Sequence, residues 1–155
     1  MIEYRKGCVV EAFKTGEYIA ILHQANCFNT MNSGVAKAIR EEFPTAYVAD
    51  CQTTRADVSK LGGFTYAVIE SLAGVVVNLY GQYNYGRDGR KYTQVDYLEK
   101  AMERARNSLL KGKNLSVCIP RIGCGLGGAD WDRELVPMIE RQFISYGIGV
   151  HVYDN

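Results

Sequence analysis

The stretch Leu115-Ser116-Val117-Cys118-Ile119-Pro120-Arg121-Ile122-Gly123-Cys124-Gly125-Leu126-Gly127-Gly128-Ala129-Asp130-Trp131 decides how the chain is read. Leu115–Ile119 is a short apolar run closed by Pro120, which are the marks of a strand. Four glycines, at 123, 125, 127 and 128, let the backbone approach a ligand closely and turn successive amides toward it. A helical pattern over Arg133–Tyr146 follows and stops at Gly147. Strand, glycine-rich loop and helix in this order form part of an α/β layer, and ligands of open α/β sheets gather at the carboxyl ends of strands. Gly123, Gly125 and Gly128 also fit G-x-G-x-x-G. Only one helix and one strand follow them, too little for a βαβ unit with its later ribose-binding acid, so the dinucleotide-fold reading is rejected.

Outward from this loop, Tyr18–Leu22, Thr65–Ile69, Val75–Leu79 and Val150–Tyr153 read as further strands. Helical spacing marks Val35–Phe43, opened by Asn32-Ser33-Gly34 and stopped by Pro44, and Asp96–Leu110, ending at Lys111-Gly112. Val75–Leu79 is continuously apolar apart from Asn78, as expected of a central strand covered on both faces. The expectation is an α/β fold with a largely parallel, sandwiched sheet in one domain spanning residues 1–155. Lys+Arg 18 against Asp+Glu 17 leaves almost no net field, which points away from nucleic-acid and membrane-surface partners. Five scattered cysteines suit free thiols in a reducing compartment, so a soluble, cytoplasmic protein is expected. Arg87–Lys91, polar and glycine-containing, reads as a mobile loop.

Two more segments lie just after strands. His23-Gln24-Ala25-Asn26 leads through Cys27–Asn32 to Ser33-Gly34-Val35-Ala36, where small residues feed a helix N-terminus whose free N–H groups and dipole favour phosphate. The competing reading makes Asn32 and Ser33 ordinary helix caps and His23 a hydrogen-bonded structural residue. Asn78-Leu79-Tyr80-Gly81-Gln82-Tyr83-Asn84-Tyr85-Gly86 offers aromatic faces for a base and amides for sugar oxygens, or else a tyrosine-rich edge that simply packs. Asp130, just ahead of a helix, fits an N-cap as well as a cleft carboxylate. The chain has no P-loop and no nucleophile elbow, and no Cys is followed at the sixth position by Arg. His23 and His151 are far apart, and no paired Cys or His spacing suggests zinc, so neither a metal nor a cofactor is expected.

Together, His23–Ala36, Tyr80–Gly86 and Pro120–Trp131 resemble the macrodomain family, most closely the branch of ADP-ribose-1''-phosphate phosphatases and a terminal ADP-ribose-protein glycohydrolase. Pro-Arg-Ile-Gly-Cys-Gly-Leu is the most specific piece. The resemblance implies a three-layer α/β/α fold with a mixed central sheet and a cleft for ADP-ribose. It implies that Asn26 faces the distal ribose, with Tyr80 and Gln82 beside it. Ser33, Gly34 and Val35 would form the first diphosphate-binding loop, with Asn32 beside it among the ligand-binding residues, and Gly123, Cys124, Gly125 and Leu126 the second. Two positions depart from the family's pattern. Lys6-Gly7 is followed by Cys8 where many members carry an Asp for the adenine amino group. The glycohydrolase's lysine after the central strand and Asp after Gly-Cys-Gly-Leu are replaced by the Tyr80-Gly81-Gln82 neighbourhood and Gly127. The resulting expectation is a metal-independent hydrolase that removes phosphate from ADP-ribose 1''-phosphate, with Asp130 as base and His23 as acid or orienting group. The alternatives are a non-catalytic binder of ADP-ribose or a related nucleotide and a hydrolase that frees ADP-ribose from protein.

Overall fold

A computed structural model of the chain describes all of residues 1–155. In chain order the elements are β1 (Ile2–Lys6), α1 (Val9–Phe13), β2 (Ala20–Ala25), α2 (Gly34–Glu42), α3 (Pro44–Cys51), β3 (Phe64–Ile69), β4 (Gly74–Tyr80), α4 (Val95–Leu109), β5 (Ser116–Ile119), α5 (Val136–Gln142) and β6 (Gly149–Asp154). The six strands make one sheet in the order β1-β6-β5-β2-β4-β3. Neighbours run parallel except β3, which pairs antiparallel with β4 through a short turn containing left-handed Ala73.

Alternation along the strands sends successive side chains to opposite faces. Ala20, Leu22, Val77, Leu79, Val117, Ile119, Val150 and Val152 pack against Leu98 and Met102 of α4 and Met138 and Ile139 of α5. Ile21, Val76 and Cys118 turn the other way, onto Val9 and Phe13 of α1, Ile39 of α2 and Ala46 of α3. Two cores flanking one sheet make a three-layer α/β/α architecture, mixed and mostly parallel. The expectation for Val75–Leu79 holds, because Val76, Val77 and Leu79 are fully buried on opposite faces. None of the helices is long and apolar enough to cross a membrane.

Four differences from the sequence reading have local causes. The strand expected over Tyr18–Leu22 runs instead from Ala20 to Ala25, because His23, Gln24 and Ala25 pair with Asn78, Leu79 and Tyr80 of β4. β1 went unrecognised because it is a sheet edge, paired only with β6 and mostly exposed, so it carries no apolar alternation. Pro44 both stops α2 and opens α3, where its missing N–H costs nothing. The helix expected over Arg133–Tyr146 is divided into a wide π-type turn at Trp131–Leu135, α5, and a 3-10 turn at Ile144–Tyr146. Pro137 lies at the start of α5 and has no N–H to donate to the carbonyl of residue 133.

Candidate functional site

A cavity of about 580 Å³ opens at the carboxyl ends of β2 and β5, within the size range of small-molecule sites. One side is the end of β2 with the loop into α2, from His23 to Asn26 and Thr30 to Ala36. Facing it are Pro120–Gly123 and Gly125–Gly127, and Gln82 and Tyr85–Arg87 line it as well.

The helix end leaves its first amides free. Ser33 occupies the N-cap but makes no side-chain capping bond, and Gly34 adopts a left-handed φ of +55 as the helix begins. The amides of Gly34, Val35 and Ala36 find no acceptor in the chain. Such amides, at the positive end of the helix dipole, favour phosphate. The glycine-rich loop presents a second set, since Gly123, Gly125, Leu126 and Gly127 also donate to nothing within the chain. Its shape comes from left-handed Gly123 and Gly128 and from the Ala129 amide on the Gly123 carbonyl at 2.9 Å.

This loop is fastened by a residue the sequence did not single out. Thr93 Oγ1 donates to the Gly123 carbonyl at 2.8 Å, and the Tyr92 and Thr93 amides both donate to the Gly127 carbonyl at 2.8 and 2.9 Å. Gln24 Nε2 reaches Thr93 Oγ1 at 2.9 Å and Gln82 Oε1 at 2.6 Å, tying the end of β2 to both neighbouring segments. An added Cβ at Gly127 would overlap Thr93 Oγ1 and lie 2.6 Å from the Gly123 carbonyl oxygen, so this packing excludes any side chain there, Asp included.

Of the expected ligand-contacting residues, Asn26, Asn32, Ser33, Gly34, Val35, Gln82, Gly123, Gly125 and Leu126 line the cavity. Asn26 Oδ1 accepts from the Phe28 amide, and its Nδ2 donates to Thr30 Oγ1 at 2.7 Å, which fixes the amide's orientation.

Tyr80, Cys124 and Asp130 are not among the residues that line the cavity. Tyr80 is 1% exposed. Its hydroxyl donates to Asp50 Oδ1 at 2.6 Å beneath the sheet, while Gln82, two residues on, reaches the cleft. Cys124 packs against the α4–α5 core with Sγ toward the Ile122 carbonyl, and burial pushes its thiol up to about 11. Asp130 caps the turn that follows. Its Oδ1 accepts from the Arg133 amide at 3.0 Å, and its own amide donates to Glu134 Oε1 at 2.9 Å. Here the capping alternative is the observed one.

His23 touches the cavity but is 1% exposed. Asn78 Nδ2 donates to the Ala46 carbonyl and to Thr65 Oγ1, so Asn78 Oδ1 is the acceptor for His23 Nε2–H at 2.6 Å. Burial lowers the imidazole pKa to about 4. Burial therefore favours the neutral ring, with the proton on Nε2 and Nδ1 without a partner.

Arg87 and Arg121 are the only charged residues in the lining, which contains no carboxylate, lysine or thiol. Asp154 holds Arg121 in a two-point pair at 2.7 and 3.0 Å, whereas Arg87 makes no ion pair. Tyr85 lines the cavity in edge contact with Phe28, whose ring also meets Tyr83 with centroids 5.0 Å apart. Cys8 stands at the start of α1, outside the cavity lining. Gln24, Arg87 and Arg121 belong to the lining without having been singled out. Gln24 carried a signal, two positions before Asn26 at a strand end, whereas Thr93 is brought in only by the return of the Tyr83–Tyr92 excursion.

The Macro domain family model matches residues 22–136, which contain every cavity-lining residue. An uncharacterised 17.5 kDa protein of the tk-vs intergenic region of Enterobacteria phage T4 is 36% identical over 137 residues, covering 85% of this chain and 84% of that protein. Among solved structures, a Bacteroides thetaiotaomicron protein of unknown function superposes with a TM-score of 0.80 at 25% identity, covering 100% of this chain and 98% of that one. A Trypanosoma brucei macrodomain solved in complex with ADP-ribose shares the fold at a TM-score of 0.66 and 15% identity, covering 98% of this chain and 63% of that one. On sequence and architecture together, the chain belongs to the Macro domain family.

Proposed function

We propose that the cleft binds ADP-ribose or a close derivative, with the diphosphate clasped between the first amides of α2 and the Gly123–Gly127 loop. One observation carries this reading: two separate sets of partnerless amides, Gly34–Ala36 and Gly123/Gly125–Gly127, line one cavity. Fixed N–H groups suit a diphosphate because its oxygens accept several bonds at once and its charge strengthens each. Asn26 and Gln82 supply amides for the distal ribose, and Tyr85 offers a ring edge or face at the mouth. Family membership and the ADP-ribose-bound trypanosome relative support the ligand class.

The lining of backbone amides, carboxamides and two guanidinium groups favours capture of the nucleotide over acid–base chemistry. Hydrolysis of ADP-ribose 1''-phosphate to ADP-ribose and phosphate is the second reading, favoured by one feature of His23. Its neutral ring, oriented by Asn78, borders the cavity and keeps a buried Nδ1 that has no partner. In this reading the imidazole orients the water, and Asp130 takes no part.

Calorimetric titration with ADP-ribose, followed by phosphate release from ADP-ribose 1''-phosphate, separates the two. Binding with no phosphate released supports capture, and release that is lost in His23→Ala supports hydrolysis. If neither nucleotide binds, the proposed ligand class is wrong.

A further inference from the structure

The cleft wall from Asn26 to Gly34 is held in shape from outside the cavity. Its backbone turns left-handed at Asn29 (φ +57), Met31 (φ +45) and Gly34 (φ +55). For Asn29 and Met31 such a conformation persists only where the surroundings over-determine it. Lys60, in a 3-10 turn between α3 and β3, sends Nζ to Asn29 Oδ1 at 2.7 Å and to Thr53 Oγ1 at 2.8 Å. Asn29 Nδ2 donates to the Thr53 carbonyl at 3.0 Å, and the Tyr47 hydroxyl donates to the Asn29 carbonyl at 3.2 Å. Arg40 Nη1 reaches the Thr30 carbonyl at 2.9 Å and Asn32 Oδ1 at 2.8 Å, with its guanidinium 3.8 Å from the centroid of the Tyr47 ring.

Neither Lys60 nor Arg40 lines the cavity, although the residues they fasten include Thr30 and Asn32, which do. Lys60 is half-buried, and its ammonium lies 5.3 Å from the centroid of the Tyr80 ring. Burial lowers its pKa, and the nearby Asp50 carboxylate opposes that shift. A cation drawn into such a place, with two of its three N–H donors spent on Asn29 and Thr53, fits a strut better than a solvated surface charge.

We propose that Lys60 and Arg40 are positioning residues that fasten the Asn26–Gly34 wall in its ligand-ready shape, Lys60 at Asn29 and Arg40 at Thr30 and Asn32. The proposal rests on the reading of the cleft as an ADP-ribose site. Releasing either strut leaves the wall in its binding shape only part of the time, and apparent affinity falls in proportion to that fraction.

Lys60→Met and Arg40→Met in the full chain remove the donors at similar length, and Lys60→Arg retains charge and donors. The readouts are ADP-ribose affinity by calorimetry and amide hydrogen exchange without ligand. Each Met variant is expected to raise Kd about tenfold, which corresponds to a wall competent roughly a tenth of the time. Exchange should quicken at the two hydrogen-bonded amides of this wall, Phe28 on Asn26 Oδ1 and Lys37 on the Ser33 carbonyl, while β2, β4 and β5 keep wild-type protection, and Lys60→Arg should recover part of the affinity. Met variants that bind as tightly as wild type, or that lose protection across the whole sheet with Kd unchanged, overturn the proposal. If one Met variant does not fold, the other and Lys60→Arg carry the same comparison. If wild type does not bind ADP-ribose, the ligand reading fails, and exchange at Phe28 and Lys37 still decides whether the two residues hold the wall.

Discussion

Substituting Gly127 by alanine perturbs the second amide set without removing any polar side chain. The added methyl would overlap Thr93 Oγ1 and stand 2.6 Å from the Gly123 carbonyl oxygen and 3.1 Å from Gln24 Nε2. Thr93 cannot swing away freely, because Oγ1 is bonded to the Gly123 carbonyl and to Gln24 Nε2. The loop itself must move. Overpacking of this kind costs about 1–3 kcal/mol, which for a domain of this size lowers Tm by roughly 2–12 °C. Displacing even one amide from a charged ligand removes about 1.5–3 kcal/mol, so Kd for ADP-ribose should rise by about 10- to 150-fold. Gly125→Ala is the control for stability, since its added Cβ meets nothing within 4 Å and the backbone there is not left-handed. Differential scanning calorimetry and isothermal titration read both quantities. Gly127→Ala with wild-type Tm and wild-type Kd would refute the account of how this loop is held.

His23 makes stability depend on pH with a definite sign. Its folded pKa, about 4, lies below the ordinary value of 6.5, so the unfolded chain takes up a proton that the folded chain refuses. The His23 contribution is complete above about pH 6.5 and is lost as pH falls toward about 4, with a total of order 3 kcal/mol. Urea unfolding at pH 7.5 and 5.0 should show the drop in wild type and a shallower one in His23→Gln, and equal slopes would contradict the assignment. Asp130→Ala should cost about 1 kcal/mol through the lost helix cap and lower Tm by roughly 2–4 °C. It should leave ADP-ribose affinity unchanged, and an Asp130→Ala protein that loses phosphate release at wild-type stability would return the carboxylate to the chemistry.

The layers and the two amide-bearing loops were legible because glycine spacing, helix starts and apolar runs are local signals. Gly123–Gly128 declared a close backbone approach, and Asn32-Ser33-Gly34 a helix N-terminus. Edge strand β1 and the five-residue α1 were not legible, since neither carries enough buried positions to show a period. Tyr80 and Gln82 looked equivalent in sequence. They differ in space because Tyr80, the last residue of β4, aims its hydroxyl at Asp50 under the sheet, whereas Gln82 lies beyond the strand and faces the cleft. Asp130 had a cap and a cleft carboxylate as equal readings, and only the Arg133 amide at 3.0 Å separates them. Thr93, Lys60 and Arg40 act through contacts 7 to 69 residues away in sequence, and spacing along a chain carries no signal for such pairings.

The central claim is that two sets of free amides hold one diphosphate, and titrating the ¹⁵N-labelled protein with ADP-ribose while following the backbone amides tests it most directly. The account predicts saturable shifts concentrated at Gly34, Val35 and Ala36 and at Gly123, Gly125, Leu126 and Gly127, with adenosine, which has no diphosphate, failing to reproduce them. Saturable binding that leaves both sets unshifted would contradict it.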